Sequence, residues 1–447
     1  MKKRILVLAA LGIILVLLPA SLGFATGQKG VQLAPVVVKY YTDSDDSINK
    51  LRKAPEFIAE FEKRNPGIKV EMQSLVGTYD SDAYNKKADV MIAAGEQIDL
   101  LGESTLDRVY AKVKAGVLEP LNDYAKKEGI DLEKEYNGLI PINGKIYMIP
   151  ENVAAWLVYI NKDMLDAAKL PLPPRDWTWA DYREYAKKLT HGEGANRVYG
   201  SYFHTWDWFY AIGMQSKIMD KPYFKRDGSH NFDDPVFRDG MQFRWNLEQV
   251  DKSQVPFADV KAQKMAYRAV FFSGKAAMIP MGAWMVADIK NTEKFPHTFK
   301  TTFATFPRWD TTCKPNTTTL DGAGSGWGVN AKSPVKEATY KFLRFFTSEG
   351  WEYAHSMWSA WTKTNAEATI KGMGGPNEAL YDPAALRAIV FDPQRVQNKY
   401  TFVGPGEPEV VDAYIQENEK FLVGGQTLDQ ALANIKKRAE EIIARSK

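Results

Sequence analysis

Phe271-Phe-Ser-Gly-Lys-Ala-Ala-Met-Ile-Pro-Met-Gly-Ala-Trp284 is the stretch whose reading decides the fold. Its first part, Val270 to Lys275, reads as the end of a helix closed at Gly274, because a glycine just past an apolar run tolerates the left-handed conformation that stops helices. Ala276 to Met281 is short, apolar and uncharged, as expected of a strand covered on both faces in an α/β sheet. Gly282 then lets the backbone break away. Trp284 opens the next apolar helical run, so an indole stands at the carboxyl end of a strand, where open α/β sheets bind ligands. The competing reading makes Trp284 ordinary core, since large aromatics are mostly buried.

Outward from that stretch the chain alternates between strand and helix signals. Pro35 to Tyr41 is β-branched and aromatic, and Thr42-Asp43-Ser44-Asp45-Asp46 is a polar loop. An amphipathic helix starts at Ala54-Pro55 and stops at Asn65-Pro66-Gly67, and a second strand, Ile68 to Met72, follows at once. Asp80 to Ala94 reads as helix and Ile98 to Leu101 as a third strand, with Glu103 just beyond its end. Such alternation implies parallel strands joined by crossover helices. Gly144 to Pro150 is hairpin-like and leads through Glu151 and Asn152 to a strand at Trp156–Asn161, which puts a hinge near 150–152. Thr178 with Asp181 has the pattern of a capping box for a helix running to about Leu189. Tyr202 to Tyr210 is the densest aromatic cluster, and it carries His204, Thr205 and Asp207, polar groups a pure core would not need. Residues 235–253 and 258–270 look helical, and Thr301–Pro307 is another strand. Gly322 to Asn330 is a glycine-rich run into a strand; it lacks the dinucleotide signature and reads instead as backbone brought close to a ligand. Beyond Ser333 the chain is mostly helical.

The 447 residues, 45% hydrophobic and 25% charged, suffice for two globular domains. Lys2-Lys3-Arg4, the apolar run Ile5–Leu18, and the small residues Gly23 and Ala25 describe a secretory signal peptide over residues 1–25, with cleavage expected after Ala25. Its loss removes three of the 58 basic groups and leaves 55 against 55 acidic ones, a formal charge of zero. A neutral chain argues against nucleic acid as partner and gives no reason to expect an anionic membrane surface. Cys313 is the one cysteine and sits far from the leader, in a loop-like run with no nearby histidine. Neither a lipid anchor, an internal disulfide nor a catalytic thiol is therefore expected.

The ordered motifs resemble the extracellular solute-binding proteins, family 1, that serve sugar-importing ABC transporters, the maltose-binding-protein-like group. The residues carrying the resemblance are Phe57 to Val70, Gly144 to Pro150, Tyr159-Ile-Asn-Lys-Asp-Met164, Trp177-Thr-Trp179, Phe272 to Met278 through Trp284, and Gly326-Trp-Gly-Val-Asn330. Ile160 interrupts the family's Tyr-Asn-Lys-Asp run, and the absent lipid-attachment cysteine points to a free periplasmic form. The resemblance implies an α/β, two-lobed periplasmic-binding-protein fold, each lobe a mainly parallel sheet flanked by helices, with a hinge between. One lobe would hold 26–151 and 299–333, the other 152–298 and 334–447. Positions matching family contact sites are Thr42, Asp43, Glu103, Asn152, Trp206, Asp207, Trp284, Ser325 and Trp327. The implied role is capture of a carbohydrate, an oligosaccharide, by a monomer that delivers it to the membrane permease subunits of an ABC importer, with no cofactor, metal or catalysis.

Those residue types suit a sugar. Indoles at Trp206, Trp208, Trp284 and Trp327 match the C–H faces of the rings. Asp43, Glu103, Asn152 and Asp207 match the hydroxyl rim, carboxylates as acceptors and amides in both senses. Hydrogen bonds to charged groups contribute roughly 1.5–3 kcal/mol each. Trp177 and Trp245 read as helix packing. Two alternatives remain: a secreted carbohydrate-active enzyme with Glu103 and Asp207 as paired carboxylates, and a binding protein for a glycerol phosphate type solute, which would call for Arg, Lys or a helix N-terminus at the site.

Overall fold

The β-branched and aromatic run after Pro35 forms β1 (Val36–Thr42), whose alternate residues Val38, Tyr40 and Thr42 are buried. The computed structural model describes residues 34–77, 81–153, 156–218, 222–319, 326–354, 358–398 and 402–446. The expected leader and Ser325 lie outside these residues. Two short helices follow β1, α1 (Asp46–Leu51) and α2 (Ala54–Arg64). Pro55 sits in the first turn of α2, and Asn65 closes the last, its Nδ2 donating to the Phe61 carbonyl at 2.9 Å. β2 (Ile68–Ser74) then pairs in parallel with β1, residue for residue from Val36↔Ile68 to Thr42↔Ser74. α3 (Ser81–Ala94) leads to β3 (Leu100–Glu103), parallel to β1, and α4 (Leu106–Lys114) follows.

The second sheet begins where the chain crosses over. β4 (Trp156–Asn161) and β6 (Ala276–Gly282) are buried along their whole length, as their uncharged sequences require. With β5 (Tyr199–Ser201) and β7 (Thr301–Thr305) they form a sheet of order β5-β6-β4-β7. β8 (Thr317–Thr319) pairs in parallel with β10 (Val396–Asn398), while β9 (Gly326–Val329) returns to the first sheet, antiparallel to β3, completing the order β2-β1-β3-β9.

Three details differ from the sequence-based expectation. The first sheet is mainly parallel, but the second is not: β4 runs antiparallel to both β6 and β7, and only β5 and β6 are parallel. The register shows the direction: Trp156, the first residue of β4, stands opposite Gly282, the last of β6. Second, β7 belongs to the second sheet, not to a segment returning to the first at 299. Phe303 packs 5.3 Å from the Tyr159 ring, and Trp177 Nε1 donates to the Thr305 carbonyl at 2.7 Å. Third, the helix Lys336–Thr347 packs on the first sheet, its Phe342 and Phe346 meeting Phe57, Phe61 and Tyr40. Its apolar stripe therefore keeps residues up to the 349–354 helix with the first sheet.

Three backbone segments run together between the sheets. Val153 N donates to the Trp358 carbonyl at 2.9 Å and Ala360 N to that of Glu151 at 3.2 Å; Ile149 and Trp327 exchange a pair of bonds at 2.8 and 3.0 Å. An apolar core runs from Val38 and Phe57 through Ile149, Val153 and Trp156 to Phe271 and Ile279, within one compact unit, residues 35–447. Among the described residues no helix is long and apolar enough to cross a membrane.

Candidate functional site

Gly274, in the left-handed region at φ 72°, ends the helix Tyr267–Phe272, and β6 then carries the chain to Gly282. At Gly282 the backbone is ordinary, with φ −72°. What the position requires is space, because the Trp284 indole lies folded across it and leaves no room for a Cβ. Trp284 occupies the short 3₁₀ turn Ala283–Asp288, and its Nε1 donates to Tyr267 Oη at 3.1 Å.

Around it stands a set of rings meeting edge to face, the arrangement aromatic quadrupoles favour. Trp156, buried at the start of β4, has Trp208 at 4.2 Å, Trp284 at 4.9 Å and Trp206 at 6.3 Å, with interplanar angles of 80–85°. Trp206 lies 6.0 Å from Trp284, 5.8 Å from Tyr267 and 4.7 Å from His204. Trp206, Trp208 and Trp284 remain half-buried, so part of each ring is open to solvent. Burial, with Arg244 and Arg268 nearby, pulls the His204 imidazole down to about 4, and Tyr202 Oη lies 2.9 Å from its Nδ1. Asp207 accepts from Tyr223 Oη, and burial raises its carboxyl. Asp288 closes the turn, paired with Arg268 Nε at 2.5 Å.

The first sheet contributes acids. Asp43 follows β1 and accepts from Ser44 Oγ at 3.1 Å; burial raises its carboxyl against the pull of Arg52. Glu151 accepts from Trp327 Nε1 and, at 3.3 Å, from Asn152 Nδ2. Burial pushes its carboxyl up to about 7, opposed by Arg52 and reinforced by the Asp43 charge. Arg52 donates to Ser44 Oγ at 3.3 Å and also acts on Asp288, which stands on the second sheet's turn. Lys294 reaches from beyond that turn to Asp45 at 3.4 Å. The acidic wall of one sheet and the aromatic wall of the other are thus electrically coupled. Among the described residues no three of His, Cys, Asp and Glu are grouped to hold a metal ion.

The model of the bacterial extracellular solute-binding protein family matches residues 45–353. The chain belongs to that family. Such a solute-binding protein also has full-length relatives: a Brucella abortus protein that carries a binding-protein name is 22% identical over 441 residues, covering 94% of this chain and 96% of its own. Among solved structures, a Listeria monocytogenes ABC substrate-binding protein in complex with cycloalternan has a TM-score of 0.73 at 24% identity, covering 92% of this chain and 99% of its own. The Bdellovibrio bacteriovorus maltose/maltodextrin-binding domain, bound to maltotriose, scores 0.68 at 22% identity, covering 92% and 100%. The Mycobacterium tuberculosis UgpB, in complex with glycerophosphocholine, scores 0.69 at 18% identity, covering 92% and 99%. These likenesses establish the two-lobed α/β fold of the family.

Within the solute-binding protein the expected contact residues fall into different places. Trp206, Asp207 and Trp284 sit together on the aromatic wall. Asp43 and Asn152 sit on the acidic side with Glu151. Thr42 is buried behind them, its Oγ1 accepting from Ser44 N at 3.1 Å. Trp327 is core: 5% exposed, edge-on to Tyr40 at 5.0 Å, and packed over Gly102. Glu103 turns away to the face of β3 covered by α3 and α4, where Lys112 Nζ is 3.0 Å distant. Glu103 and Asp207 thus stand on different elements with different partners, Lys112 for the first and Tyr223 for the second. The close glycines Gly326 and Gly328 make room for the chain's own 147–150 segment. Glu151, Arg52, Trp156 and Tyr267 join the site from the structure alone; the sequence signal for Glu151 is its position directly after the hairpin-like run ending at Pro150.

Proposed function

We propose that this chain captures a carbohydrate, an oligosaccharide, between its two lobes and delivers it to the permease of an ABC importer, without covalent chemistry. The observation that carries the reading is the half-exposed trio Trp206, Trp208 and Trp284, held rigidly edge-on around Trp156. It is coupled across the lobes to the half-buried acceptors Asp43 and Glu151. Ring faces of a sugar match the first set and its hydroxyls the second. The solutes named for the Listeria and Bdellovibrio structures support that class. In this reading the lobes are 35–151 with 326–354 and 156–319 with 366–446, hinged at the three adjoining crossings. A ligand touching both walls binds the closed form better and shifts the population toward it. The protein works as a periplasmic monomer, freed from its leader after Ala25 and not lipid-anchored.

A second reading is supported by one feature. Mutually perpendicular indoles also suit a quaternary ammonium group through cation–π attraction, and the UgpB likeness would make the solute a glycerophosphodiester. Tryptophan fluorescence titration with maltotriose and with glycerophosphocholine, read beside small-angle scattering, separates the two. Saturable maltotriose binding with compaction and an intact sugar on chromatography is the expected result. Compaction with glycerophosphocholine alone selects the second reading. Shortened oligosaccharide products would overturn both.

A further inference from the structure

Leu101 and Glu103 share the face of β3 on which Tyr84, Ala88, Leu101 and Val109 form a separate apolar cluster beneath α3 and α4. Between those helices lies a cavity of about 440 Å³, within the size range of small-molecule sites, about 300–1,000 Å³. Two buried polar side chains line it. Asn85, 4% exposed, has neither its Oδ1 nor its Nδ2 in a hydrogen bond. Glu103, 6% exposed, has its Oε1 bonded by Lys112 Nζ at 3.0 Å, an ammonium that Asp89 also holds, and its Oε2 in no hydrogen bond. Native interiors leave few polar groups unmatched. Two lining one cavity indicate a missing partner.

The unmatched atoms select its chemistry. Asn85 offers both donors and an acceptor, and a carboxylate offers acceptors alone. A vicinal diol satisfies both: one hydroxyl donates to Glu103, while its neighbour accepts from Asn85 Nδ2 and donates to Oδ1. A cation would meet Lys86, Arg108 and Lys112, and an anion would meet Asp89 and Glu103, so a neutral solute fits best. Ile92, Ala93, Ala111 and Val117 supply an apolar wall for ring C–H groups. The geometry points to a second binding site between α3 and α4, for a neutral polyol the size of a single sugar ring, separate from the Trp284 site.

Equilibrium dialysis of the full chain with labelled D-glucose and myo-inositol tests it. Trp284→Ala is expected to retain saturable binding of one equivalent. Ala111→Trp, at an exposed position of the groove, should weaken that binding at least tenfold and leave maltotriose titration at the tryptophan wall unchanged. Asn85→Leu should lose the site and, by removing a buried unmatched amide, raise the melting temperature of the ligand-free protein. No saturable binding by the unaltered chain means water alone fills the cavity, and the proposal fails. It fails equally if Trp284→Ala abolishes glucose binding while Ala111→Trp does not, or if Asn85→Leu melts lower and binds as before. Apart from the maltotriose control, none of these readouts depends on the tryptophan wall taking an oligosaccharide.

Discussion

Gly282→Ala isolates the contribution of one indole. With φ at −72°, alanine meets no backbone strain at this position, and the effect is one of space. The new methyl would fall 2.1–2.4 Å from three carbons of the six-membered ring of Trp284, more than about 1 Å short of the roughly 3.5–4.0 Å of relaxed carbon contact. β6 cannot retreat, since it is buried throughout and paired with β4 on one side and β5 on the other. The half-buried indole must move. In moving it gives up the 3.1 Å bond to Tyr267, about 0.5–1.5 kcal/mol. It also gives up the edge-on contact with Trp156, about 0.5–1.5 kcal/mol. The expected loss of stability is thus about 1–3 kcal/mol, read as a shifted urea midpoint with unchanged slope. A ligand anchored on the ring face should lose at least about 1.4 kcal/mol, or about tenfold in affinity, matching Trp284→Ala in fluorescence titration. A Gly282→Ala protein with the parent's near-ultraviolet circular dichroism, midpoint and affinity would refute the packing argument.

Other perturbations reach other parts of the site. Burial raises the Glu151 carboxyl from its ordinary value near 4.5 to about 7, so the folded state holds this proton more tightly than the unfolded chain. Its contribution to stability is therefore fully present below pH about 4.5 and lost as pH rises through about 7, by about 3 kcal/mol. Urea denaturation at pH 5 and pH 8 should show a smaller difference for Glu151→Gln than for the parent, and an equal difference would contradict the burial. Lys294→Ala removes the half-exposed ion pair to Asp45, worth about 0–1 kcal/mol; stopped-flow release of ligand should quicken by no more than about fivefold, and the gain should vanish in high salt. Gly326→Ala combines φ 125° with a Cβ falling on the Ile149 carbonyl. It should destabilise by more than about 2 kcal/mol, so a melting temperature equal to the parent's would show that the 147–150 segment yields there.

What the sequence made legible was local. The uncharged run Ala276–Met281 gave a fully buried strand, the Gly274 stop holds, and Thr178 with Asp181 forms the expected capping box. Trp177 and Trp245 are packing residues, the latter stacked on Phe421 at 4.9 Å. The chain direction of β4 was not legible, because a buried strand has the same composition whether it runs parallel or antiparallel. The sequence puts Glu103 just beyond a strand ending at Leu101, whereas it is the last residue of β3; a strand alternates its side chains between faces, and a shift of one residue sends a carboxylate to the opposite side. Gly326 and Gly328 read as ligand-facing because glycine announces close approach without saying what approaches. Glu151 was missed for a related reason: its burial and its bond from Trp327 arise from a segment 176 residues away.

That bond shows how one device is used in two ways. At the carboxyl end of β3, Gly102 lies beneath the Trp327 indole; at the carboxyl end of β6, Gly282 lies beneath that of Trp284. Trp327 comes from the neighbouring strand β9, and Tyr40, Tyr84 and Phe346 close around its remaining surface, leaving its N–H to fix Glu151. Trp284 comes from the turn two residues beyond its own glycine, and its neighbours meet it edge-on, so part of the ring stays open. Glycine under indole is therefore not what leaves a tryptophan accessible. The difference is whether distant segments cover the second face: they cover that of Trp327, whose N–H is directed at Glu151, and leave Trp284 half-buried.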